Sequence, residues 1–75
     1  MLDEVLLMGQ ILLEVGDPRR RARIAFHLCL ERATTVEGLL RYLDHLAVWL
    51  MGHGDDAAGN LLLARADDLR EELYR

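Results

Sequence analysis

Residues Gly9–Asp17, GQILLEVGD, are echoed 38 positions later by Ala47–Asp55, AVWLMGHGD: a small residue, an apolar helical turn, then Gly-Asp at the same offset. Each unit reads as helix, glycine stop, second helix, and a chain that repeats this pattern has room for two helical hairpins and little else. β-branched residues are few, turn pairs of the Asn-Gly kind are absent, and apolar residues recur at three- and four-residue spacing, so no strand is expected. The expected fold class is all-α: four helices as two hairpins, either stacked as tandem units or closed as a small four-helix bundle. The chain reads as a single domain, 1–75, with hairpin one at about 2–33 and hairpin two at about 35–74.

The boundaries follow from capping chemistry. The first helix, about Leu2 to Val15, ends at Gly16, and Asp17-Pro18 then supplies an N-cap and a proline at the first helical position. The second helix runs to about Arg32 or Ala33. Thr34-Thr35-Val36-Glu37 offers a cap and an acidic first turn for the third, and Thr34 with Glu37 has capping-box spacing. The third continues to about Met51, Gly52-His53-Gly54 breaks it, and Asp55 or Asp56 caps a fourth that runs to about Tyr74. At about 100° per residue, the third helix should bury Val36, Leu39, Leu40, Leu43, Leu46, Ala47, Leu50 and Met51, leaving Glu37, Arg41, Asp44 and His45 outside. The fourth carries one stripe of Ala58, Leu62, Ala66, Leu69 and Leu73.

The spacing of small residues resembles the tetratricopeptide repeat, which has a small residue midway along its first helix, Gly-Asp at the turn, and small and aromatic residues on its second. The second unit is the more similar: Leu46-Ala47 and Leu50 stand at the family's Leu-Gly and aromatic positions, Gly54-Asp55 at its turn, Gly59 and Leu63 at its second-helix Ala and Phe, and Ala66 at its later Ala. The first unit offers Met8-Gly9, Leu12 and Gly16-Asp17, then Ala22 and Phe26 one residue out of register. It departs from the family in three ways. Val5 and Leu43 stand where the opening Trp would be, neither unit has the closing Pro, and the interval of 38 exceeds the family's ~34. The resemblance implies a TPR-like scaffold that binds other proteins.

Composition narrows the class. Hydrophobic residues make up 52% of the chain, too many for a disordered segment, and the net charge of −4 argues against a general polyanion binder. All nine basic residues are arginine. A lone Cys29 excludes an intramolecular disulfide, and the opening Met-Leu-Asp-Glu lacks the basic start of a leader, so a soluble, cytoplasmic protein is expected. The longest apolar run, Val5 to Val15, is interrupted by Gln10 and Glu14, and no membrane association is expected.

Three surfaces are candidates for function. Of residues 1 to 15, ten are apolar, and Leu7 lies within the polar strip formed by Asp3, Gln10 and Glu14. Either neighbouring helices wrap this helix as the central core element, or Leu7 and Ile11 meet a protein partner or a second copy. Tyr42 and Trp49 lie seven residues apart on one edge of the third helix, where aromatic residues close a core or anchor a partner. Arg19, Arg20, Arg21 and Arg23 crowd a helix start, where the dipole disfavours cations, so compensating acids are expected. Phosphate contact is the functional alternative. A third reading faces this basic helix with the acidic segment 55–75 of another copy, which holds Asp55, Asp56, Asp67, Asp68, Glu71 and Glu72.

Catalysis is not expected. His27 and Cys29 diverge on a helix, His45 and His53 are separated by a glycine break, and Cys29 falls on an apolar stripe, so neither a metal nor a cofactor is assigned. The sequence therefore reads as a small interaction module: an adaptor, chaperone-like protein or assembly subunit, binding a protein partner or itself. The alternatives are a nucleic-acid-associated regulator using Arg19 to Arg23, or a small inhibitor of a larger enzyme.

Overall fold

Asp17-Pro18 begins a helix as its chemistry requires. Asp17 is extended (φ −113°, ψ 126°), its carboxylate accepts the Arg19 N–H at 3.2 Å, and Pro18 stands where a missing N–H has no helical partner to lose. The computed structural model describes residues 2–74, with α1 (Leu2–Leu12), α2 (Pro18–Arg32), α3 (Val36–Gly52) and α4 (Asp56–Leu73), and no strand among the described residues. The all-α, four-helix architecture is the expected one.

Two boundaries differ from expectation. α1 stops at Leu12 rather than near Val15, because the N–H groups of Glu14 and Val15 switch to carbonyls three residues back and tighten the last turn. At the start of α3 the cap is Thr35, which is extended (φ −134°, ψ 162°) and accepts the Gly38 N–H on Oγ1 at 3.0 Å. The residue three beyond the cap is thus Gly38, which has no side chain to return the bond, and the Thr34–Glu37 capping box does not form.

The turn between α3 and α4 is compressed into three residues. Gly54 adopts a left-handed conformation (φ 87°) and donates to the Met51 carbonyl at 3.1 Å, while the Asp55 N–H reaches back to Leu50 at 2.9 Å. That pair of bonds closes α3 as a Schellman motif. Asp55 then caps α4 at once, accepting the Ala58 N–H on Oδ1 at 3.2 Å.

The molecule measures 35 × 22 × 18 Å, about two helix diameters in each cross-section. α3 packs against all three other helices, whereas α1 and α4 do not touch. Leu43, Leu46, Ala47 and Leu50 of α3 are fully buried against Val5, Met8 and Leu12 of α1, Ala22, Ala25 and Cys29 of α2, and Ala58, Leu62 and Ala66 of α4. Of the two readings of the first helix, the one in which neighbouring helices wrap it as the central element is therefore corrected: α3 makes the most extensive contacts, and α1 is an outer helix docked mainly on α3. Val36 and Leu73, expected in the core, are exposed because each lies at a helix end beyond the reach of its neighbours. Asp44, expected outside, is half-buried because it accepts a hydrogen bond from Arg70 of α4.

Small residues set the helix spacing. A Cβ on Gly59 would lie 2.9 Å from the Ala47 carbonyl oxygen and overlap Met51, so α3 and α4 cross closer than any side chain at 59 permits. Gly9 plays the same part against the Trp49 ring where α1 crosses α3.

One ionic contact joins the two hairpins. Arg21 Nε donates to Asp55 Oδ2 at 2.6 Å, and its Nη1 donates to the Val15 carbonyl, so one guanidinium ties both Gly-Asp turns together. The hydrogen bond from Arg21 holds the Asp55 carboxyl below the usual carboxylate range, aided by the Ala58 N–H and opposed by burial. Asp55→Ala removes an N-cap and strands Arg21, and is expected to cost roughly 2 kcal/mol or more in chemical denaturation. The carboxyl is more acidic folded than unfolded, where it titrates near about 3.9, so its contribution is complete above that pH and is lost as pH falls through the folded range. Asp55→Asn, which retains a cap acceptor, should lose less stability at neutral pH and show a shallower acid decline; equal declines would contradict the pairing.

Candidate interaction surfaces

α1 buries one narrow stripe, Val5, Met8, Gly9 and Leu12, against α3 and α2. The rest of its apolar surface stays in solvent: Leu7 and Ile11 are each 57% exposed, and Leu6 and the following Leu13 each 44%. Helical periodicity separates these into two edges. With about 100° per residue, Leu7 and Ile11 fall on the Glu4 side of the stripe, and Leu6 and Leu13 on the Gly9 side, with Asp3, Gln10 and Glu14 between them.

The candidate aromatic residues do not join Leu7 and Ile11. Tyr42 is only 8% exposed, and its hydroxyl donates to Glu4 Oε2 at 2.7 Å, so it closes the α1–α3 contact from within. That hydrogen bond, reinforced by burial, raises the phenol pKa and keeps the group a donor. Glu4 also faces Arg32 at 3.7 Å, which brings α2 into the same contact. Trp49 is half-buried on the opposite edge, against Gly9, with its ring stacked on His53 at 3.7 Å between centroids. The His53 Nδ1–H donates to the Trp49 carbonyl at 2.8 Å and fixes the imidazole in that stack. Beside Trp49, a groove of about 430 Å³ is lined by Val5, Asp44, His45, Val48 and Trp49, and Val48 is 65% exposed. The sequence reading does not single out Leu6, Leu13 or Val48; the surplus of apolar residues in 1–15 is the signal for the first two, and for Val48 it is its place among Glu37, Arg41 and Asp44 on the polar side of the third helix.

The arginine cluster divides. Arg21 is withdrawn into the Arg21–Asp55 contact, which supplies the compensation that a cationic helix start needs, while Arg19, Arg20 and Arg23 remain exposed. Arg19 and Arg23 line a second groove, of about 480 Å³, between α2 and α4. Its apolar floor includes Ala22, Phe26 and Leu62, and Arg65 lies 4.7 Å above the Phe26 ring centroid, within cation–π range.

Cys29 is fully buried between α2 and its neighbours, and burial pushes its thiol up to about 12 despite the opposing charge of Arg32. Among the described residues no three of His, Cys, Asp and Glu gather as metal ligands, and no helix is long and apolar enough to cross a membrane. No family model matches the chain, and comparison with curated proteins and with solved structures returns no significant match. The surfaces themselves therefore carry the functional argument.

A buried thiol with so high a pKa reacts only when the helix opens. Alkylation of Cys29 at pH 8 is expected to be at least a hundredfold slower in the native chain than in denaturant (roughly, from the thiolate fraction), and comparable rates would contradict its burial.

Proposed function

We propose that this chain is a small protein–protein interaction module, an adaptor or assembly subunit, whose outer helix α1 receives an amphipathic helix of a partner protein. The observation that carries the reading is the exposure of Leu6, Leu7 and Ile11 on one outer helix and of Leu13 just beyond its end. Fully burying a Leu or Ile contributes about 1.5–3 kcal/mol, so a segment that leaves four of them about half exposed forgoes part of that stability, which a partner recovers. Exposed Asp3 and Glu14 border these residues, which fits a partner helix with basic flanks. The groove beside Val48 and Trp49 provides a pocket for an apolar anchor on the second edge.

The proposal is of a binding protein without a catalytic role, in a cytoplasmic setting that suits a free thiol. The tetratricopeptide-like reading of the scaffold belongs to the same proposal and rests on the sequence motifs. The nucleic-acid alternative is weaker, since Arg21 is committed to Asp55 and three exposed arginines act against a net charge of −4.

The test is sedimentation of the chain as recovered from its source, followed by the same measurement on Leu7→Glu/Ile11→Glu. The parent is expected to travel with a stoichiometric partner. The double variant, with unchanged helical circular dichroism, should bind that partner at least tenfold more weakly (about 1.4 kcal/mol). A parent without any partner, or a variant that binds as tightly as the parent, would overturn the proposal.

A further inference from the structure

The face formed by α2 and α4 carries complementary charge that the chain itself does not use. α2 and α4 run side by side, with Arg21 beside Asp55 at their starts and Phe26 under Arg65 farther along. Two open depressions lie along α4 and share Arg65 as a common wall. Toward the helix starts the first is basic, with Arg19, Arg23 and Arg65 on its rim and no carboxylate among its lining residues. Toward the C-terminal end of α4 the second is acidic, walled by Asp68, Glu71 and Glu72. None of these six charges makes an ion pair among the described residues, whereas Arg21, Arg32 and Arg70 all do.

We infer that the chain pairs with a second copy through this α2–α4 face, the two copies running antiparallel about a two-fold axis near Arg65. Rotation by 180° about such an axis brings the basic depression of each copy over the acidic depression of the other. Arg19 and Arg23 of one copy then oppose Asp68, Glu71 and Glu72 of the other in each half, and the same patch serves both copies, which closes the assembly at two. Exposed Leu30 and Leu61, with Phe26, supply the apolar centre, so that the charges set orientation while carbon surface contributes contact. A face spanning two helices along the 35 Å axis approaches the ~800 Å² per partner that a stable dimer buries. This surface is distinct from the α1 edges, so the inference stands or falls separately from the proposed function.

Salt gives the first discrimination. Two chains of net charge −4 repel, and added salt relieves that repulsion, so general association would strengthen with ionic strength. The paired faces predict the opposite: between about 50 mM and about 500 mM salt, the dimer dissociation constant from sedimentation should rise at least tenfold. The decisive measurement is charge exchange. Arg19→Glu/Arg23→Glu makes the whole face acidic, and Asp68→Arg/Glu72→Arg makes it basic; each variant alone should be folded by circular dichroism and monomeric. Mixed in equal amounts, they should form a one-to-one heterodimer, since each basic depression then meets an acidic one. Folded variants that stay apart when mixed would overturn the inference. So would a parent that is monomeric at low salt and high concentration, or a parent dimer that survives both charge reversals and dissociates only on Leu7→Glu/Ile11→Glu.

Discussion

The fold leans most on α3, which together with α2 touches every other helix and makes the most extensive contacts of the four. Its buried residues Leu43, Leu46, Ala47 and Leu50 point in enough directions to serve three neighbours, and the Gly59 and Gly9 crossings let α4 and α1 come close. Once α3 is enclosed, α1 has a single side left to bury, and its other apolar residues are stranded in water. The exposed leucines are thus a consequence of topology and length.

Charge is distributed in a related way. Buried or half-buried ionic groups all connect helices: Arg21 to Asp55, Glu4 to Tyr42, Arg70 to Asp44. No buried side-chain nitrogen or oxygen among the described residues lacks a hydrogen-bond partner. Arg32–Glu4 and Arg70–Asp44 are substantially exposed and contribute at most about 1 kcal/mol each. Arg21–Asp55, with side chains 15% and 7% exposed, is the one that organises the fold, because it fixes one hairpin turn against the other. The remaining charges, basic on one stretch of the α2–α4 face and acidic on the next, have no such internal role.

Much of this was legible in the sequence, and the reasons are local. Asp17-Pro18 and Gly54-Asp55 set helix ends through backbone hydrogen bonds that involve only near neighbours, and the wide stripe of α3 announced a helix with several contacts. The echo that suggested two hairpins proved to mark turns that lie side by side, joined by Arg21. Thr35 was chosen over Thr34 as a cap by one residue of register, which side-chain chemistry alone does not resolve. Which helix would be central was not legible, because α1 is more uniformly apolar than α3 yet lies outside it; periodicity reports how much surface a helix must bury, and connectivity decides how much it can. For the same reason the sequence brings out Leu7 and Ile11 as exposed apolar residues but does not place Tyr42, which Glu4, 38 residues away, holds inside.

The central claim is that α1 is held from one side only, and amide hydrogen exchange on the dilute, isolated chain tests it directly. Amides of Leu43–Leu50 should exchange only through global unfolding, while those of Met8–Leu12 should exchange at least about a hundredfold faster through local release of α1. Equal protection of the two helices in the isolated chain would contradict the account.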